Sequence, residues 1–212
     1  MTRAELAALL ASASADTADS FDDGARRVPA NELVPAAVLI PVIGRLPGPT
    51  VLFTQRTAHL NDHAGQISFP GGRAEPGDAD VIRTALREAH EEVGIDPRRV
   101  AVLGRIPPYI TGTGFKVTPV VGWIEPPVDF RLDPFEVAEV FEVPLAFLLD
   151  PRNHRAETAL LRDRMRTYYA MPFEERYIWG ATAGMLMTLY RLVARGRGEA
   201  VQETVPPPHD SG

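Results

Sequence analysis

The stretch Gly71 to Ile95 reads GGRAEPGDADVIRTALREAHEEVGI, and its core is Arg87-Glu88-Ala89-His90-Glu91-Glu92-Val93-Gly94. In an α-helix, residues three and four apart are neighbours, so Glu88, Glu91 and Glu92 would share one face. Like charges placed this way cost roughly 0.2–0.5 kcal/mol per pair. Folding gains nothing from them, whereas a hard divalent cation such as Mg²⁺ or Mn²⁺ selects clustered carboxylate oxygens. An isolated acidic pair is ordinarily a solvated helix face. The residues on either side of this cluster point to chemistry instead.

Upstream, Gln66, Ile67, Ser68 and Phe69 alternate in polarity and run into the turn signal Pro70-Gly71-Gly72. Adjacent glycines let a ligand approach the backbone with no Cβ in the way. Asp78 is placed to cap the helix that follows. From there Val81, Ile82, Ala85, Ala89 and Val93 form an apolar stripe, opposite Arg83, Arg87, Glu88, Glu91 and Glu92. Gly94 supplies the stop. A glycine turn leading into a helix with one buried and one acidic face suits a metal site for phosphate chemistry.

These residues resemble the Nudix box: a Gly, five residues, a Glu, seven residues, then Arg-Glu, an apolar residue, any residue, Glu-Glu, any residue, Gly and an apolar residue. Arg87 to Ile95 matches every specified position, with Ala89 in the apolar slot. The first half departs, with one extra residue between Gly72 and Arg87 and with Asp78 where the pattern has Glu. Both departures are similar to the coenzyme A pyrophosphatase branch of the superfamily, which carries Gly-Gly, an acidic residue, Asp and Thr-Ala-Leu-Arg-Glu-Ala. Here these are Gly71-Gly72, Glu75, Asp78 and Thr84 to Ala89. A second signature of that branch lies ahead of the box and keeps its spacing in Leu52-Phe53-Thr54, Thr57, Asn61, Gly65 and Phe69-Pro70-Gly71-Gly72. Thr57 stands for Ser, Phe53 for Leu and Asn61 for Arg. The last change replaces a fixed cation with a neutral amide.

The resemblance implies a metal-dependent hydrolase. Glu88, Glu92 and the carbonyl of Gly72 would bind Mg²⁺ or Mn²⁺, with Glu91 as ligand or proton acceptor. Arg87 would orient the carboxylates by charge-assisted bonds, or pair with Glu91 on the surface at i,i+4 spacing. The general base stays open between Glu88 and a later acid. The candidates for that acid lie in Asp133 to Pro144: Glu136 first, Glu139 second, with Glu142 alternating among strand residues. Arg56, Arg73, Lys116 and the Asn61 position are candidates to meet substrate, including the 3′-phosphate of coenzyme A. His59, His63 and His90 show no zinc spacing, and Trp123 and Trp179 read as packing residues rather than base-stacking platforms.

Composition sets outer bounds. The chain has 212 residues, 45% of them hydrophobic, enough for one full core. A net charge of −6 argues against a nucleic-acid partner. No apolar run is long enough to span a membrane. The absence of cysteine excludes disulfides and thiol catalysis and fits a cytoplasmic protein. The expected layout is an N-terminal helix and polar connection over 1–32, a Nudix domain over 33–200 and a disordered tail over 201–212. Residues 1–14 read as a short helix rather than a secretion signal. Within the domain, strands are expected at Val34–Ile43, Thr50–Arg56, Val100–Ile106, Phe115–Glu125 and Ala138–Pro144. A short helix is expected at Leu145–Leu149, a hairpin over Ala156–Leu161 and Tyr168–Phe173, and a closing helix over Ala181–Val193. Strands interleaved with helices indicate an α/β fold, a Nudix-type α/β/α sandwich with a mixed β-sheet.

Three functions follow in order. The first is hydrolysis of coenzyme A or acyl-CoA to 4′-phosphopantetheine (or its acyl form) and adenosine 3′,5′-bisphosphate. The second is hydrolysis of another nucleoside diphosphate-X compound, such as ADP-ribose, NADH or a dinucleoside polyphosphate. The third is a non-catalytic ligand sensor, which has no need of an intact acidic triad. A homodimer is compatible with the family, although no interface is legible.

Overall fold

The computed structural model describes residues 1–13, 21–22, 29–57, 65–161 and 164–202. In chain order the elements are α1 (Arg3–Ala13), β1 (Phe21–Asp22), β2 (Val34–Ile43), β3 (Thr50–Arg56), β4 (Ile67–Ser68), β5 (Gly71–Arg73), α2 (Val81–Val93), β6 (Val100–Arg105), β7 (Tyr109–Ile110), β8 (Phe115–Ile124), β9 (Val137–Pro144), α3 (Leu145–Leu148), β10 (Arg155–Leu161), β11 (Arg164–Phe173), β12 (Arg176–Trp179) and α4 (Gly180–Gly196). The large sheet is mixed. Its order is β1-β7-β8-β2-β3-β4, with β5 also on β2, β6 on β8 and β9 on β3. The central β2 and β8 pair in parallel over ten residues, from Val34↔Phe115 to Ile43↔Ile124.

Successive side chains on a strand point to opposite faces, and β2 is buried on both. Ala37, Leu39 and Ile43 join Ala85, Ala89 and Val93 of α2 in one apolar cluster. Ala36, Ile40 and Val42 join Met185, Leu186 and Leu189 of α4 in another, larger one. The sheet therefore lies between α2 on one face and α4 on the other, the expected α/β/α sandwich. Leu6 and Leu10 of α1 are buried in the α4 cluster, so the N-terminal helix is a layer of that core.

β2, β3, β6, β8 and β9 begin and end within two residues of the expected positions, because each is an apolar, β-branched run between turn residues, whereas β11 starts at Arg164, four residues before the expected Tyr168. The final helix is longer than expected and buried on nearly every side, by the sheet, α1 and β11. The hairpin gains a third antiparallel strand, β12, which pairs Ala170↔Trp179 to Phe173↔Arg176. Asp78 does not cap α2. The N-cap is Asp80, whose carboxylate accepts from the Arg83 amide at 2.9 Å. Gly94 does end α2, at φ 73°, with its amide on the carbonyl of His90 at 3.0 Å. No helix among the described residues is long and apolar enough to cross a membrane. The tail from 203 onward, and most of the polar connection after α1, lie outside the described residues.

Candidate active site

Three backbone segments build the site: β5, α2 and the turn before β9. β5 pairs with β2 through Ala37↔Gly72 and Val38↔Gly71. A Cβ on Gly71 would lie 2.4 Å from the Ala37 carbonyl oxygen, and one on Gly72 would lie 2.5 Å from Oε1 of Glu88. The second glycine is what lets the Glu88 carboxylate lie against the β5 backbone. The third segment follows the end of α2, where the Arg131 and Asp133 amides bond the carbonyls of Val93 and Glu92 at 3.0 and 2.9 Å. The Asp133–Val137 turn is therefore tied to the helix end, and Thr57 holds its far side. The Thr57 hydroxyl donates to the Phe135 carbonyl at 2.9 Å, and its amide donates to the Glu136 carbonyl at 3.1 Å.

Arg87 organises the acids. Its Nε and Nη2 reach both oxygens of Asp78, at 3.2 and 3.1 Å, and Nη2 also bonds the Arg73 carbonyl at 3.0 Å. Its Nη1 bonds Glu88 Oε1 and Glu91 Oε2, each at 2.9 Å. A guanidinium has five N–H donors in a fixed fork, and here each has a partner. Orientation of Glu88 and surface pairing with Glu91 thus coexist. Asp78 also accepts from the Thr84 hydroxyl and the Glu75 amide, both at 3.0 Å. Its bond with Arg87 first, and those with the Glu75 amide and Thr84, hold it well below the usual carboxylate range. Sequence reasoning assigned Asp78 to the wrong task. It anchors the arginine that positions the glutamates, and its signal was its place nine residues before Arg87.

Glu92 was expected on the exposed acidic face, but it is only 5% exposed. Burial first, then the charges of Glu136 and Glu88, push its carboxyl up to about 8, while Arg56 and the Gly71 amide act the other way. Burial also raises Glu88 against the opposing pull of Arg87, and Glu91 and Glu136 add to the rise. Glu91 turns outward onto Arg87 and is exposed. Glu88 and Glu91 share Nη1 of Arg87, and the charge of Glu88 also acts on Glu92; among the described residues, no three His, Asp or Glu side chains form a ready metal-holding group. Glu88 and Glu92 form the inner pair.

The later acids separate clearly. Glu142 is bonded by Arg45 and Thr50, and Glu139 by Arg176, whose guanidinium also lies 4.7 Å over the Phe141 ring. Glu136 is exposed on the turn, 4.0 Å from Arg56, and its charge is felt at both Glu88 and Glu92. Beside this group, on the α4 face of the sheet, opens a cavity of about 610 Å³. Arg56, Gly72 and Arg73 line it, with Phe115, Trp179 and Met185 among the other walls. The Arg73 guanidinium lies 5.2 Å over the Phe115 ring.

Trp123 is buried, with Nε1 on Glu125 at 2.8 Å, whereas Trp179 is a cavity wall and not only a packing residue. Lys116 is not brought to this site. It lines a separate cleft with Leu10, Arg105 and Leu192. His90 is exposed on α2, and His59, Asn61 and His63 lie outside the described residues.

The NUDIX domain model matches residues 33–163. The uncharacterized Nudix hydrolase NudL of Escherichia coli O1:K1 is 47% identical over 155 residues, covering 73% of this chain and 80% of its own. NudL of Shigella boydii serotype 18 matches to the same extent. Among solved structures, a C. elegans Ap4A hydrolase binary complex superposes with a TM-score of 0.46 and 21% identity, over 52% of this chain and 80% of that one. The NUDIX domain of Shewanella oneidensis NrtR complexed with ADP ribose gives a TM-score of 0.43 and 20% identity, over 70% and 87%. The family match spans both the glycine loop and the acidic helix that frame the inner glutamate pair, and with the NudL identity it shows that the chain belongs to the Nudix family, as a Nudix hydrolase.

Proposed function

We propose that the protein is a metal-dependent pyrophosphohydrolase cleaving the diphosphate of coenzyme A or acyl-CoA to 4′-phosphopantetheine (or its acyl form) and adenosine 3′,5′-bisphosphate. The observation that carries the hydrolytic reading is the buried Glu92 carboxyl next to Glu88, above the Gly72 backbone and beside a cavity lined by two arginines. A buried acid whose proton affinity is raised by neighbouring carboxylates, as that of Glu92 is by Glu136 and Glu88, is relieved by a cation. Carboxylate and carbonyl oxygens are the donors that Mg²⁺ and Mn²⁺ select. Glu88, Glu92 and the Gly72 carbonyl are the residues to hold it. When bound, such a metal polarises phosphoryl oxygens and lowers the pKa of its water.

The chain's own groups take the remaining roles. Arg87 fixes the Glu88 carboxylate from one side while Asp78 fixes Arg87. Arg56 and Arg73 line the cavity, and their guanidinium donors suit the phosphates flanking the scissile bond. Of the later acids, Glu139 and Glu142 are held by side-chain hydrogen bonds, which leaves Glu136, 4.0 Å from Arg56, to receive the proton of the attacking water. Glu91 stays on Arg87 and steadies its fork.

The coenzyme A assignment rests on the paired signatures from Leu52 to Ile95, in which Gly71-Gly72, Glu75 and Asp78 keep the branch spacing. Asn61 favours a second reading, hydrolysis of another nucleoside diphosphate-X compound, because a neutral amide replaces the branch's arginine. Incubation with Mg²⁺ or Mn²⁺ and a panel of coenzyme A, acetyl-CoA, NADH, ADP-ribose and diadenosine tetraphosphate separates the two. Adenosine 3′,5′-bisphosphate formed fastest from the coenzyme A compounds is the expected result. Faster cleavage of another compound selects the second reading. Turnover that persists in excess chelator, or full activity in Glu136→Gln, would remove the metal mechanism or the base respectively.

A further inference from the structure

Arg73 ends the short strand β5, where it pairs with Ala36 of β2, and Ala36 in turn pairs with Val117 of β8. Phe115 lies two residues before Val117 on β8, so the two side chains take the same face of the sheet. Ala36 and Val117 are buried in the α4 cluster, which puts Arg73 and Phe115 on the α4 face, where the cavity opens. There the Arg73 guanidinium lies 5.2 Å over the Phe115 ring. Stacking of this kind uses the face of the guanidinium and leaves the N–H donors, which lie in its plane, free to bond. Among the described residues, no side-chain hydrogen bond or ion pair takes up these donors.

The loop between β7 and β8 brings two hydroxyls to the same residue. Thr111 Oγ1 accepts from the Phe115 amide at 3.0 Å, and the Oγ1 atoms of Thr111 and Thr113 are 3.0 Å apart. The Thr111 amide on the Phe115 carbonyl at 2.9 Å, and the Gly114 amide on the Thr111 carbonyl at 3.0 Å, close the loop. Phe115 thus carries the guanidinium on its ring and the Thr111 hydroxyl on its amide. Arg73, Thr111 and Thr113 all line the cavity, and no Asp or Glu is among its described lining residues. The bond between the two hydroxyls uses one of their two hydrogens and leaves the other to donate outward. A guanidinium and a spare hydroxyl donor, with no carboxylate in the same wall, fit a phosphate, whose oxygens are strong acceptors.

We propose that Arg73, Thr111 and Thr113 form a phosphate subsite in the cavity wall, in which the guanidinium supplies the charge and the hydroxyl pair donates to another oxygen of the same phosphate. The inference rests on the hydrolase reading above, since it needs a substrate that carries phosphate, but it does not depend on which nucleotide that is. Thr113 is the position that tests it. Among the described residues its hydroxyl bonds Thr111 alone, whereas Thr111 also holds the Phe115 amide. Thr113→Val therefore removes a ligand donor and leaves the backbone bonds of the loop in place.

Two measurements test it. In excess chelator, where no turnover occurs, adenosine 3′,5′-bisphosphate is titrated into the protein in a calorimeter. The wild type is expected to bind saturably. Arg73→Met should bind roughly tenfold or more weakly and Thr113→Val about fivefold more weakly, because hydrogen bonds to a charged group are the strong ones. The double variant should bind no more than about twofold more weakly than Arg73→Met, because two groups on one phosphate are coupled. Arg73→Lys keeps the charge without the fork and should recover part of the loss. With Mg²⁺ present, kcat/KM is measured for coenzyme A and for 3′-dephospho-coenzyme A, and their ratio identifies the phosphate. A ratio lowered by Thr113→Val marks the 3′-phosphate as the group held; an unaltered ratio with both values lowered marks the diphosphate. No saturable binding by the wild type, wild-type affinity in either single variant, or losses that multiply in the double variant overturn the subsite. Cleavage of other nucleotides but of no coenzyme A compound overturns the coenzyme A reading alone, and calorimetry still decides the subsite. Binding as expected with no hydrolysis of any nucleotide overturns the hydrolase reading and leaves the subsite standing.

Discussion

Glu92 shows how one buried side chain links stability to function. Its carboxyl is pushed up to about 8 from an ordinary value of 4.5, so between these limits the folded chain holds a proton that the unfolded chain has released. Stability from this group is complete below pH 4.5 and is lost as pH rises toward 8, by about 5 kcal/mol at most. Metal-free protein should therefore lose thermal stability between pH 5 and 9, and Glu92→Gln should lose much less. A cation bound by the ionised pair stabilises only the folded state, so Mg²⁺ should restore the wild type at pH 8 and leave Glu92→Gln unmoved while hydrolysis is lost. Thermal unfolding at three pH values, with and without Mg²⁺, decides this; parallel curves for the two proteins would remove Glu92 as the titrating group. Arg87 presents a related case. Lys has three donors on a flexible stem in place of five in a rigid fork, so Arg87→Lys cannot hold Asp78, Glu88, Glu91 and the Arg73 carbonyl together. Misplaced catalytic groups cost on the order of 100-fold in rate, so kcat should fall by about that factor with KM little changed. A variant with kcat near wild type would mean that the arginine serves only as a surface partner.

At the scale of elements, β5 and α2 are locked by contacts that differ between two adjacent glycines. A methyl on Gly71 meets the Ala37 carbonyl oxygen at 2.4 Å and the Val38 Cα at 2.6 Å, both backbone atoms of β2. Gly71→Ala should therefore cost at least the ~1–3 kcal/mol typical of overpacking, lowering the melting temperature by roughly 2–4 °C per kcal/mol. The atoms nearest a methyl on Gly72 belong to the Glu88 carboxylate, the free end of a side chain. Gly72→Ala should melt near the wild type but lose activity because Glu88 is displaced. Melting curves and rates measured on both variants check the contrast, and an inactive, unstable Gly72→Ala would break it. The loop–helix unit was legible in the sequence because the glycine pair, the apolar stripe and Gly94 are local signals. Glu92 burial was not legible, because the groups around its carboxyl, the Gly71 amide, Arg56 and Glu136, come from segments distant in sequence. The same holds for Asp78, whose partner is fixed by a loop path rather than by helical periodicity. Strand β12 has four residues, too few for a periodic pattern, and pairing with β11 defines it. Lys116 was grouped with Arg73 by charge alone, and strand position sends the two to different clefts.

At the scale of the molecule, the site depends on a core that reaches beyond the NUDIX match. The family model ends at residue 163, yet α4 supplies one face of the sandwich and its first turn lines the cavity. On the far side α4 is covered by α1, where Leu6 is fully buried and Leu10 nearly so. Leu9 meets the other end of α4: a Cβ on Gly196 would lie 2.7 Å from Leu9 Cδ2. Truncating a buried leucine to alanine costs about 2–5 kcal/mol, which for a chain of this length corresponds to roughly 4–20 °C of melting temperature. Leu6→Ala should fall in that range and leave KM unchanged below its melting point, because Leu6 does not line the cavity. Removing residues 1–13 exposes the whole apolar flank of α4, and a patch of that kind drives association. The truncated chain should unfold at lower temperature and scatter light before it melts. If it instead melts with the full-length protein and stays monodisperse, α1 is an appendage, and the core that positions the site ends at α4.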